Sequence, residues 1–308
     1  MRKIKSLLAL LSKISATGSE HYIQMYETGM EFSRNARYPA GDAYSSIVSI
    51  NEVKKREQLI WGPKKINDIK GIDLNTDSQL QLLDNFKPYY AEIPFGEKSK
   101  ENLRYYFDNN WYPYSDGVIL YSMIRHFNPK RIIEVGSGFS SALMLDMKDR
   151  FNKDLDLTFI EPEPERLYSL LKDNDKEENT FIISAIQDID LSLFSQLQAN
   201  DILFIDSSHV SKTGSDINLI LFDILPMLNK GVLIHFHDIF YPFEYPKEWV
   251  YKGQNWNEDY ILKAFLMYNK DFEIKIFSDY LHTHHSEVFS EMPLCYKDRG
   301  GNIWIQKL

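Results

Sequence analysis

The sequence predicts an α/β fold on a mostly parallel, doubly wound sheet. Two features carry the parallel part. Apolar runs of strand length recur from about residue 115 onward, and helical stretches separate them. The runs are RIIEVG (131–136), LDLTFIE (155–161), TFIIS (180–184), DILFID (201–206) and GVLIHFHD (231–238). Continuous apolar strands belong to sheets covered on both faces, and their alternation with helices implies parallel crossovers. The helical stretches are Ser140–Phe151, Glu163–Lys172, Leu191–Leu197 and Ser215–Leu228. A third feature closes the sheet. FEIKIF (272–277) and NIWIQK (302–307) have no obvious helix between them, so they are expected to pair as an antiparallel edge. The whole describes a Rossmann-like sheet with an antiparallel C-terminal strand pair.

The first hundred residues read differently. They show no sustained two-residue period and offer short helices instead, over Glu52–Trp61 and over Asp77–Phe86, the latter opened by Thr76 as N-cap. Turn-rich segments separate them: Tyr38 to Asp42, Gly62-Pro63 and Ile93 to Gly96. Residues 1–100 are therefore read as an irregular helical N-terminal appendage, and 101–308 as the main domain. The opening MRKIKSLLALLSKIS is read as a short amphipathic helix docked on its own protein.

Composition narrows the function classes. The 308 residues are 44% hydrophobic and 26% charged, which excludes collagen-like, low-complexity and wholly disordered chains. A net charge of −9 makes a general nucleic-acid binder a poor fit, because phosphate contacts need clustered Lys and Arg. No run approaches the roughly 18 apolar residues of a membrane span. The lone cysteine, Cys295, excludes an internal disulfide framework and fits a reducing, cytoplasmic setting. Oligomeric state is left open.

The first predicted strand ends in Glu134-Val135-Gly136-Ser137-Gly138 and runs into a helix. Glycines here permit a sharp turn and close approach of a ligand. A dinucleotide fingerprint would place a third glycine at 141, where this chain has Ser141. The second strand ends in Glu161, placed to accept from ribose hydroxyls, and the fourth ends in Asp206. This pattern resembles the class I S-adenosylmethionine-dependent methyltransferases over roughly 115–308. The resemblance implies that Gly136, Ser137 and Gly138 pack against the cofactor's methionine and ribose portion. Glu134 would lie near its amino end, Glu161 would hold the ribose, and Asp206 would complete the set. Ser184 to Asp188, followed by DILFID, is similar to the catechol O-methyltransferase-like branch, which implies that Gln187 and Asp188 lie near the adenine. Asp188 could equally cap the helix that follows.

Two strand ends then gather acids and histidines. Asp206 is followed by His209, and the fifth strand ends His235-Phe236-His237-Asp238. Two chemistries fit. In one, Asp206, Asp238 and a histidine, His237 or His209, bind a divalent metal that activates an acceptor hydroxyl. Metal-dependent small-molecule O-methyltransferases, which the chain resembles here, carry acids at both strand ends, although their following Asn is Ile239 in this chain. In the other, His209 or His237 is a metal-free general base. His235 reads as a core histidine, and His282 to His285 as a surface loop. Aromatic clusters at 105–114 and 240–256 offer walls for a small organic acceptor, the second as a roof over the acids. The expected function is methylation of a small molecule by S-adenosylmethionine, at a hydroxyl of a sugar, glycan precursor or other secondary metabolite. The alternatives are an NAD-linked oxidoreductase and a non-catalytic cofactor-binding scaffold.

Overall fold

Seven strands form one sheet in the computed structural model of the chain, which describes residues 16–62 and 69–308. They are β1 (Arg131–Val135), β2 (Asp156–Ile160), β3 (Thr180–Ile182), β4 (Ile202–Ile205), β5 (Leu233–His237), β6 (Phe272–Phe277) and β7 (Asn302–Lys307). Their spatial order is β3-β2-β1-β4-β5-β7-β6. Strands β1 to β5 are parallel; β7 runs antiparallel to both β5 and β6. The two central strands, β1 and β4, are buried almost throughout, which is why their sequences are continuous apolar runs.

The strand expectations hold for all seven. The connections differ in four places. The stretch Glu163–Lys172 is helical only over Glu165–Tyr168, and Leu191–Gln196 is 3-10 rather than α. Ser215–Leu228 contains a π turn, Ile220–Ile224, just before Pro226. Proline has no N–H to donate, and the wider turn takes up the missing bond. Between β6 and β7 lies a helix, Ser278–His284, that the sequence did not announce. With it, β7 returns to the middle of the sheet edge and pairs with β5 on its other side.

Two units divide the described residues: 16–62 with Val250–Asn255, and 69–249 with 256–308. In the first, α1 (Ala16–Asn35), α2 (Ile50–Lys55) and α3 (Glu57–Trp61) are joined by turns. Ser49 caps α2, accepting from the Glu52 N–H, and the Tyr251 hydroxyl donates to Glu57. The helix read over MRKIKSLLALLSKIS lies outside the described residues. The second unit holds the sheet with α4 (Thr76–Tyr90), α5 (Tyr114–Phe127) and α6 (Phe139–Phe151). Thr76 is the first residue of α4 rather than its cap; Asn75 takes the cap position, and the Thr76 hydroxyl instead pairs with that of Tyr280. Gln79 of α4 accepts from the Phe277 N–H, tying this helix to β6.

The turn from β1 to α6 sets the position of everything at the carboxyl edge. Gly136 has φ +81°, and a Cβ there would lie 1.7 Å from the carbonyl oxygen of Asp206. Gly138 is extended, and a Cβ there would meet only the flexible Arg166 side chain at 3.2 Å. The steric demand of the protein itself therefore falls on Gly136. Gly136→Ala is expected to destabilise the fold by about 3 kcal/mol or to prevent folding, while Gly138→Ala stays within about 1 kcal/mol. Urea denaturation of the two variants separates them, and similar losses would refute the distinction.

Candidate active site

The carboxyl ends of β1, β2, β4 and β5 carry nearly every polar group singled out from the sequence. Glu134, at the fourth position of β1, is fully buried. It accepts hydrogen bonds from the Ser140 hydroxyl at 2.5 Å and from the Ser141 hydroxyl, while Ser141 Oγ accepts from the Gly138 N–H at 2.9 Å. Glu134 thus clasps the turn from beneath. Burial pushes its carboxyl up to about 8, against the pull of the serine hydroxyls. Glu161 is half-buried just past β2, and its two oxygens accept from the N–H groups of Ser137 at 2.9 Å and Glu163 at 2.8 Å. Both bonds orient the carboxylate and leave it further lone pairs.

Gln187 and Asp188 are exposed on the 3-10 turn Ile186–Asp188. The Gln187 amide donates to the Gly214 carbonyl at 3.0 Å. The cap of the following 3-10 turn is Asp190, which accepts from the Ser192 N–H, so Asp188 has no capping duty. Two further groups bear on a ligand. The hydroxyls of Ser137 and Ser207 are buried without a hydrogen-bond partner, one in the glycine turn and one just after Asp206. Buried polar atoms are rarely left so, and donors here fit a polar cofactor lying across the turn. Glu161, the turn Gly136–Gly138 and the exposed Gln187 and Asp188 are the residues that could hold S-adenosylmethionine, Glu161 with lone pairs left for hydroxyl donors.

The acids and histidines of β4 and β5 converge on one imidazole. His209 Nδ1 lies 2.8 Å from Glu258 Oε2, and its Nε2 lies 3.5 Å from Asp206 Oδ1 and 3.7 Å from Asp238 Oδ2. Burial alone would lower the His209 pKa; Asp206, Glu258 and Asp238 outweigh it and hold the pKa well above the usual value. The three carboxylates thus favour the protonated form of His209. His237 Nε2 is 3.6 Å from Asp238 Oδ1. Burial opposes its protonation, and Asp238, Asp206 and Asp116 raise its pKa nonetheless. For Asp206, burial acts upward, but His237 and His209 bring the net shift down. For Asp238 burial prevails and the pKa rises. His209 and Asp238 both adopt left-handed backbone, at φ 59° and 55°. Such strain costs about 1–3 kcal/mol each in non-glycine residues and concentrates at working sites.

Glu258 and Asp116 make pairings that were not foreseen, and Trp256 comes from the aromatic cluster expected as a roof. Glu258 is buried in the first turn of α7 (Glu258–Leu266), about fifty residues beyond His209. The His209 carbonyl accepts from the N–H groups of Asn257 and Glu258, so backbone and side chain hold the same helix start. Trp256 packs on His209 with ring centroids 4.4 Å apart. Asp116 sits inside the first turn of α5 and reaches β7, accepting from the Gly301 N–H and the Asn302 amide. Burial pushes its carboxyl up to about 6. Local sequence could not reveal these pairings, since the partners are far apart along the chain.

Other expectations resolve plainly. His235 is a core histidine stacked on Phe204 at 3.9 Å, and burial holds its pKa well below the usual value. The segment 282–285 is not a surface loop: His282 is buried on the helix Ser278–His284, and its Nε2 lies 3.1 Å from the Ser115 hydroxyl. Of the first aromatic cluster, Tyr105, Phe107 and Tyr112 are core, while Trp111 is 53% exposed. The divalent metal expected at Asp206, Asp238 and His237 is not accommodated. Among the described residues no group of three or more His, Cys, Asp or Glu is arranged to hold an ion. His209 Nε2 faces both carboxylates, 3.5 Å from Asp206 Oδ1 and 3.7 Å from Asp238 Oδ2.

Acids and a glycine turn gathered at the carboxyl edge of a mostly parallel sheet occupy the place where open α/β sheets bind nucleoside-bearing ligands. A family model described as a methyltransferase domain matches residues 133–239, from within β1 to just past Asp238. An uncharacterized protein of Archaeoglobus fulgidus is 34% identical over 168 residues, covering 53% of this chain and 75% of its own. Among solved structures, the chain is similar to the S-adenosylhomocysteine-bound methyltransferase PaMTH1 of Podospora anserina (15% identity, 79% of this chain and 100% of that one, TM-score 0.42). It is also similar to the O-methyltransferase TomG of Streptomyces achromogenes (13% identity, 83% and 95%, TM-score 0.37). The chain belongs to the class I S-adenosylmethionine-dependent methyltransferases. The NAD-linked and scaffold alternatives are thereby set aside. No described helix is long and apolar enough to cross a membrane.

The clasp under the turn has a pH signature. An acid whose pKa is raised on folding stabilises the fold in its protonated form. That contribution is complete below about 4.5 and is lost as pH climbs through about 8. Glu134→Gln, a mimic of the protonated acid, is expected to flatten the fall in Tm between pH 6 and 9. An unchanged slope would show that Glu134 is not the group responsible.

Proposed function

We propose that this methyltransferase acts on a hydroxyl oxygen of a small molecule, a sugar, glycan precursor or other secondary metabolite, with Asp238 receiving the acceptor's proton. The carrying observation is the set Glu258–His209–Asp206/Asp238 beside the glycine turn. Bound S-adenosylmethionine supplies an electrophilic methyl group. What remains for the protein is to align the acceptor and remove its proton. His209 and His237 were the candidates for the base. Neighbouring carboxylates raise the pKa of both, which favours the protonated imidazole over one free to accept a proton. Asp238 is the complementary group: a carboxylate with raised pKa, its side chain 18% exposed. As the acceptor oxygen attacks, its O–H bond breaks and the proton passes to Asp238. His209 and His237 keep the neighbouring carboxylates ionised until then, and Glu258 fixes the His209 ring.

The half-buried Trp249 and Trp256, ring centroids 5.4 Å apart, support an organic acceptor with a flat apolar face. A cytoplasmic setting belongs to the same reading, supported by the buried, unpaired Cys295. Asp238→Asn is expected to lower kcat by about a hundredfold or more, with the Kd for S-adenosylhomocysteine within about threefold of the parent. Exhaustive chelation is expected to leave activity intact. Near-parental turnover in the Asp238 variant, or activity lost on chelation and restored by a divalent cation, would overturn the assignment.

A further inference from the structure

Arg166 is an unpaired cation above an acidic site. It lies in the short helix after β2, exposed to solvent. Its guanidinium carbon sits 3.6 Å from the ring centroid of Trp111. Its Cδ lies 3.2 Å from where a Cβ on Gly138 would project. The side chain therefore spans from β2, over the glycine turn, to the segment leading into α5. Among the described residues it has no carboxylate within ion-pair distance, although Glu134, Glu161, Asp206 and Asp238 crowd the strand ends nearby.

This placement meets a need of the cofactor. The amino-acid arm of S-adenosylmethionine ends in a carboxylate as well as an ammonium. The acids at the strand ends suit the ammonium and repel the carboxylate, which requires a cation or several N–H donors. Arg166 is held for that purpose. Stacking occupies one face of the guanidinium and leaves its in-plane N–H donors at the rim, the geometry that grips a carboxylate bidentately. Trp111 thus acts as a platform, and the stack keeps the cation over the turn without a competing anion.

We propose that Arg166, held on Trp111, binds the carboxylate of the cofactor's amino-acid arm and so discriminates S-adenosylmethionine from adenosyl compounds lacking that group. The proposal rests on the methyltransferase cofactor reading, and its test separates the two. Calorimetric titration of the full chain compares S-adenosylhomocysteine with its decarboxylated analogue, 5′-(3-aminopropylthio)adenosine, which keeps the adenosine, sulfur and amine. The parent protein should bind S-adenosylhomocysteine more tightly. Arg166→Gln should lose roughly ten- to hundredfold in affinity for S-adenosylhomocysteine, the range for a charge-assisted contact, and less than threefold for the analogue. Trp111→Leu should shift the same ligand in the same direction by a smaller factor, because the charge remains and only its platform is gone.

Equal losses for both ligands would place Arg166 at the adenosine end or in the fold and overturn the proposal. Unchanged S-adenosylhomocysteine affinity in Arg166→Gln would overturn it as well. If the parent protein bound neither compound, the cofactor reading itself would fall, and the proposal with it. Since the analogue is measured on the same protein sample, a partly misfolded variant would weaken both ligands together and could not imitate the selective loss.

Discussion

Three carboxylates share one buried imidazole, and the arrangement of the sheet edge depends on that balance. Asp206, Asp238 and Glu258 come from the end of β4, the end of β5 and the start of α7, and each faces His209. Without the proton on His209 the acids would repel one another at short range in a poorly solvated place. With it, each element that supplies an acid is drawn to a common point. Removing one partner of such a buried set leaves an uncompensated charge, which is far more costly than the set is stabilising. The same balance keeps Asp206 ionised while leaving Asp238 with a raised pKa. Two chemically identical side chains at neighbouring strand ends thereby differ in proton affinity, which is what separates a fixed charge from a proton acceptor.

The cofactor side rests on a different device. Gly136 brings β1 against the backbone of Asp206, so the glycine turn and the acid edge share a boundary. Glu134 and its two serines, all buried, then lock the turn from below. Asp206 belongs to both sides: its backbone N–H donates to the Val135 carbonyl, and its carboxylate faces His209. One residue thus joins the glycine turn to the acid edge through its backbone and its side chain.

Most of the sheet was legible in the sequence because its strands are short, apolar and separated by turn residues. The burial that stabilises them also writes them plainly. The polar edge was legible for a related reason. Asp206, His237 and Asp238 interrupt or end apolar runs, and a charged group at such a place needs a purpose. What escaped notice was the pairing between distant segments. Glu258 reads as an ordinary acid in the first turn of a helix, a common location that suits the helix dipole, and nothing nearby points to His209. Asp116 is similar: it looks like a helix-start residue and instead crosses to β7. The metal reading failed for a further reason. Two acids at adjacent strand ends do demand a cation, and sequence alone does not say whether an ion or a protonated histidine answers that demand.

The span of the family match sharpens this division. It runs from 133 to 239 and includes the glycine turn, Glu161 and the acid pair, all of which lie on or just after strands. Glu258 and Trp256 lie beyond it, and Trp111 lies before it, yet each packs on a group inside it: Glu258 and Trp256 on His209, Trp111 on Arg166. The matched core thus holds the glycine turn and the strand-end acids. The flanking segments supply what orients those charges. A strand end can place a carboxylate but cannot hold an imidazole or a guanidinium in one attitude, since the chain leaves the sheet there. A second element must come back over the edge, and in this chain two do so, one from each side of the matched core.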